Sequence, residues 1–145
     1  MIGYQAWTHT DMSSEFETIK RRSRETLRDF PEIRLAILFG SAAGNRLRPD
    51  SDVDIGVAAD EPLSLNDTLD LQAALSHATR REVDLVDMQA VSGLILQQIL
   101  TTGAMLQKDV ETYAALMKRM LLEQADMLPY TQRVTRTHVE RYLHG

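Results

Sequence analysis

The chain has no cysteine, so neither a disulfide framework nor a thiolate metal site is open to it. No apolar run approaches the roughly 20 residues that a membrane-spanning helix needs. The opening MIGYQAWTHTDM lacks the basic stretch followed by an apolar one that marks a secretory signal. Together these absences predict a soluble, cytoplasmic protein with no membrane partner. An excess of positive charge is missing as well: 16 Lys and Arg stand against 21 Asp and Glu, a net charge of −5. That balance speaks against direct nucleic-acid binding through phosphate neutralisation. Internal repeats and low-complexity tracts are absent too. What remains, 145 residues with 43% hydrophobic side chains, is the composition of a single globular domain.

The chemistry-bearing stretch runs from Gly40 to Asp54 and reads GSAAGNRLRPDSDVD. An apolar run, Leu35-Ala36-Ile37-Leu38-Phe39, leads into the Gly-Ser pair, and a second, Val53 to Ala59, carries the aspartates. The pattern predicts strand, tight turn, loop, strand. Side chains alternate faces along a strand, so Asp52 and Asp54 point the same way, roughly 6.5–7 Å apart by strand rise, and Val53 points to the packed side. Two carboxylates on one face suit a hard cation with oxygen ligands, Mg2+ above all, and a pair of such ions serves in-line displacement at phosphorus.

Gly40 lets the backbone approach a phosphate, and Ser41 offers both a hydroxyl and an N–H. Ala42 to Asp50 can hold a short helix, broken by Pro49, whose first amides would face the phosphates. Arg46 and Arg48 either neutralise a triphosphate or lie in solvent. Taken singly, a Gly-Ser after a strand is a turn and a lone DxD is solvated surface. Their joint occurrence is what points to phosphate chemistry.

Around this motif the spacing predicts a helix from Ser13-Ser14 to Phe30, stopped by Pro31, with residues 1–12 as an arm. Leu63 to Arg80 reads as a helix with Leu65, Leu69, Leu71, Ala74, Leu75 and Ala78 as its apolar stripe and His77 as a structural neighbour. A strand, Glu82 to Asp87, follows. Asp84 sits on the face opposite Val83 and Leu85, and an aspartate in mid-strand needs a partner, which a metal site at Asp52 and Asp54 would supply. Asp87 reads as a cap. Ser92 caps a helix from Gly93 to Thr102 with Leu94, Ile95, Ile99 and Leu100 inward, Gly103 ends it, and Ala104 to Gln107 forms an edge strand.

From Asp109 the pattern is helical to Leu128, with Leu116, Met117, Met120, Leu121 and Leu128 on one face, and a last helix spans Tyr130 to Leu143. Met117, Met120 and Met127 cover the chain's own sheet in this reading rather than a partner groove. The basic runs Lys20-Arg21-Arg22-Ser23-Arg24 and Arg80-Arg81 read as solvated helix faces or ends, with an acidic partner or polyanionic substrate as the alternative. Arg133 and His138 match the spacing of an RNase signature, a chance match in so short a tail.

A Gly-Ser turn, ten residues, DxD, then a third aspartate in a later strand resembles the nucleotidyltransferase superfamily that includes DNA polymerase beta, and above all its minimal, MNT-type members. The likeness covers roughly residues 34–107 of a single domain, with a helix over about 13–30 before that core and helices over about 109–143 after it. The chain departs from many minimal members in having Ala42 directly after the Gly-Ser and Asn45 where the loop glycine usually falls.

The resemblance implies an α/β (α+β) nucleotidyltransferase fold: a small mixed sheet flanked by helices, with a helical C-terminal tail. It also implies ATP and two Mg2+ ions, with Gly40 and Ser41 at the phosphates and Asp52, Asp54 and Asp84 as metal-binding catalytic acids. Minimal members of this kind are commonly antitoxins paired with a HEPN-domain RNase toxin, and some transfer AMP to a tyrosine of that toxin. The expected function is therefore an antitoxin that AMPylates its HEPN partner. An antitoxin acting by contact alone, or a stand-alone nucleotidyltransferase for a small molecule or RNA, is the alternative.

Overall fold

The computed structural model describes residues 3–40 and 51–125, with side chains from Glu15 onward. Its elements in chain order are α1 (Gly3–Leu27), β1 (Ile33–Phe39), β2 (Val53–Ala59), α2 (Leu65–Thr79), β3 (Val83–Asp87), α3 (Gly93–Thr102) and β4 (Ala104–Gln107), followed by α4 over residues 110–125. The strands form one mixed sheet in the order β3-β2-β1-β4. β1 lies antiparallel to both β2 and β4, and β2 runs parallel to β3. The parallel pair needs a crossover, and α2 is that crossover. This is the small mixed sheet with flanking helices that the motif pattern implies. Among the described residues no helix is long and apolar enough to cross a membrane.

Strand alternation explains the layering. Val53, Ile55, Val57 and Val83 bury one face of the sheet against Ile19 and Leu27 of α1 and Leu71 and Leu75 of α2. Leu35, Ile37 and Ala58 face the other way, against Leu96, Ile99 and Leu100 of α3 and Leu116 and Met120 of α4. Both faces are therefore covered, and the two central strands are almost wholly buried. Close approach of α3 depends on Gly56, where a Cβ would come within 3.1 Å of both Ile99 Cγ2 and Met88 Cγ.

Several local expectations are corrected. α1 begins at Gly3 and runs straight through Ser13-Ser14, ending at Leu27 rather than Phe30. No proline interrupts residues 3–12, and serine is tolerated inside a helix as well as at its cap. The buried stripe of α1 is Ile19, Ser23 and Leu27, one residue per turn, which a serine in the middle disguises. Leu65 and Leu69 of α2 are exposed, as are Leu121 of α4 and His77, and in α3 Leu94 is 81% exposed while Leu96 is buried. The helices rotate by part of a turn to bring their best-packed residues onto the sheet, and an apolar residue at the margin stays in water. Ser92 stands at the N-cap of α3 without making a side-chain cap bond, whereas Ser64 caps α2 by accepting from the Asp67 N–H at 3.1 Å. Residues Met127, Leu128, Pro129 and the Tyr130–Leu143 helix, with Arg133 and His138, lie outside the described residues.

The turn after β3 is held from a distance. Asp87 accepts from the Gln89 N–H at 2.9 Å, the cap role expected of it. Arg119 of α4 donates to the carbonyls of Met88, Gln89 and Val91 at 2.8, 2.9 and 2.6 Å. Replacing Arg119 with alanine strands three half-buried carbonyls and is expected to cost on the order of 2 kcal/mol in urea unfolding.

Candidate functional site

Asp54 and Asp84 are brought level at one end of the sheet by the register of two strands. In the parallel ladder Asp54 of β2 lies directly level with Asp84 of β3. Residues level across a parallel pair share a face, so the two side chains stand side by side. Asp52 is two residues upstream of Asp54 on that same face, just before the first ladder residue, Val53. The face is the one that α3 and α4 cover further along. On β2 it reads Asp52, Asp54, Gly56, Ala58: carboxylates first, then the small residues over which α3 packs. Asp54 is half-buried, and Asp52 and Asp84 are exposed.

Gly40 closes β1 with φ +76, and a Cβ at that position would collide with Oδ2 of Asp54. Glycine is therefore required twice here, for its left-handed backbone and for the carboxylate laid against it. Gly40 thus lies directly against Asp54. Ser41, Arg46, Arg48 and the proposed short helix over Ala42–Asp50 lie outside the described residues.

None of the ion pairs among the described residues engages Asp52, Asp54 or Asp84. The Asp54 carboxyl is pushed up from its ordinary value, first by burial and then by the negative charges of Asp84 and Asp52. Among the described residues no group of three or more acids and histidines is already arranged to hold a metal ion. The donors are nonetheless of the kind that suits Mg2+: carboxylate oxygens only, none of them in an ion pair among the described residues.

The sequence missed one feature of this end of the sheet. Arg81, expected as part of a solvated helix end, has a side chain only 6% exposed. Its Nη1 donates to the Ser51 carbonyl at 3.0 Å. A buried arginine in the short link before a strand leaves no periodic signal, so only the folded chain reveals it.

Comparison with known proteins agrees with this fold. The family described as polymerase beta nucleotidyltransferase matches residues 22–112. The chain is 37% identical over 92 residues to the protein adenylyltransferase MntA of Shewanella oneidensis, a match that covers 61% of this chain and 66% of that protein. It superposes with a TM-score of 0.66 and 27% identity on a toxin-antitoxin crystal structure with AMP-PNP, covering 80% of this chain and 98% of the other. A tri-AMPylated Shewanella oneidensis HEPN toxin in complex with MNT antitoxin gives a TM-score of 0.62 at 27% identity, covering 83% and 98%.

Two outcomes follow from the site's electrostatics and backbone. A carboxyl with a raised folded-state pKa binds protons that the unfolded chain has already lost, so its ionisation lowers stability as pH climbs from the ordinary aspartate range through the raised value. Asp54→Asn is thus expected to raise the melting temperature at pH 7, with the gain shrinking towards pH 4 in a series of thermal scans. Gly40→Ala imposes a side chain on a left-handed residue beside Asp54 and is expected to cost about 1–3 kcal/mol by denaturant titration.

Proposed function

Since the chain belongs to the polymerase beta nucleotidyltransferase family, we propose that it is an antitoxin that works as a protein adenylyltransferase, moving AMP from ATP to a tyrosine hydroxyl of a cognate HEPN-domain RNase toxin. The observation that carries this reading is the register of β2 and β3, which sets Asp54 level with Asp84 beside the Gly40 turn. The similarity to MntA and to complexes of HEPN toxin with MNT antitoxin supports the choice of a protein acceptor. The match to a structure with AMP-PNP supports ATP as the donor.

In the proposed reaction the tyrosine oxygen attacks the α-phosphorus of ATP in line. The new O–P bond forms as the bond to the bridging oxygen of pyrophosphate breaks, and pyrophosphate departs. Gly40 gives the triphosphate close access to backbone, while Ser41 and Arg48 donate to its oxygens. Asp84, exposed on β3, would help take the hydroxyl proton of an incoming tyrosine. Asp52 and Asp54 are the acids that would hold a divalent cation against the phosphates. Together with Asp84 they would hold two Mg2+ ions, whose chemistry when bound would be to neutralise charge on the phosphoryl oxygens and lower the pKa of the acceptor hydroxyl.

The test is direct. The chain is incubated with ATP, Mg2+ and the HEPN product of the neighbouring gene, and the toxin's mass is measured. An AMP adduct on a tyrosine is expected, falling at least about a thousandfold in rate for Asp52→Asn with Asp54→Asn and vanishing with EDTA. Neutralisation by that double variant at ordinary expression would show that binding alone suffices. Modification of a small molecule or RNA instead of the toxin would overturn the choice of acceptor.

A further inference from the structure

Asp52 precedes the first ladder residue of β2, so the sheet itself does not hold it. The three-residue link between α2 and β3 grips the chain on either side of it. Arg80 caps α2, and its left-handed backbone (φ 57, ψ 33) turns the link back towards β2. Arg81 Nη1 then donates to the carbonyl of Ser51 at 3.0 Å, and the Glu82 carbonyl accepts from the Val53 N–H at 2.9 Å. Asp52 is the one residue between these two anchors. The other arm of the guanidinium, Nη2, reaches Glu15 of α1 at 2.6 Å, with the Arg81 side chain only 6% exposed against 49% for Glu15. Two residues further on, the same link delivers Asp84.

We infer that Arg81 is a positioning residue for nucleotidyl transfer. Its buried fork ties Ser51 to α1 and so fixes Asp52 relative to Asp84, acting through backbone and touching no substrate. A guanidinium suits this task because its two arms point in fixed, divergent directions, which a single ammonium cannot copy. A looser Ser51 lets Asp52 drift, and a displacement of about 1 Å at a reacting group costs up to roughly a hundredfold in rate. Binding of the nucleotide, which engages the Gly40 turn as well, suffers less.

The inference rests on the adenylyl-transfer reading, and the experiment separates the two. Arg81→Lys and Arg81→Ala are compared with wild type and with Arg119→Ala, a variant weakened at the far end of the sheet. Three quantities are measured well below each melting temperature: kcat for AMP transfer to the HEPN toxin, affinity for AMP-PNP by calorimetry, and hydrogen exchange of the Val53 amide by NMR. Positioning is expected to show as a fall in kcat of about tenfold or more in both Arg81 variants, AMP-PNP affinity within about threefold, faster exchange at Val53, and an unchanged kcat in Arg119→Ala. A kcat loss equalled by Arg119→Ala, or retained kcat with unaltered Val53 exchange, would overturn it. Should wild type transfer no AMP, the functional reading falls, and the Val53 exchange alone then decides whether Arg81 holds this segment.

Discussion

The parallel pairing of β2 with β3 is the constraint from which the site follows. It sets two aspartates level on adjacent strands, an arrangement that costs energy because like charges face each other across the ladder. The register cannot slip to relieve that cost. A shift of one residue would turn Val83, or Val53, Ile55 and Val57, out of the core they share with α1 and α2. Burial of those side chains outweighs repulsion between two half-solvated carboxylates, so the acids are carried into proximity by the apolar residues on the other side of the same strands.

The uncovered stretch of that face has an equally plain origin. Gly56 and Ala58 are small enough for α3 to lie close, and Met88 and Ile99 fill the space above Gly56. Upstream of Gly56 the side chains become carboxylates, which no helix among the described residues covers. The result is an acidic ledge bordered by a glycine turn, with Asp54 forced towards its neutral form by its surroundings. A polyphosphate with its divalent cations is complementary to such a ledge in charge and in hardness.

Cationic side chains are used quite differently. Arg22 donates to the Ala78 carbonyl near the end of α2, Arg24 to the carbonyls of Met105 and Leu106 in β4, Arg81 to Ser51, and Arg119 to the turn after β3. Arg22, Arg81 and Arg119 satisfy backbone acceptors where an element starts or stops, and Arg24 satisfies those of the outer strand β4, needs that helices and strands do not meet from within. Charge that looks in the sequence like solvated surface is, in the fold, a set of ties between segments remote in the chain.

The sequence by itself determined the strands and their order along the chain and singled out three candidate acids, because period-two burial and a glycine before a loop are local signals. Val53 to Ala59 and Gly93 to Thr102 need no tertiary information to be recognised as strand and helix. Other features were settled only by the fold: that Asp84 sits level with Asp54, that α1 reaches back to Gly3 with Ser23 in its buried stripe, that Leu94 faces water, and that Arg81 is buried against Ser51. Those depend on which faces meet and in what register. That choice is made by the summed packing of residues from different elements, and no short window of sequence contains it.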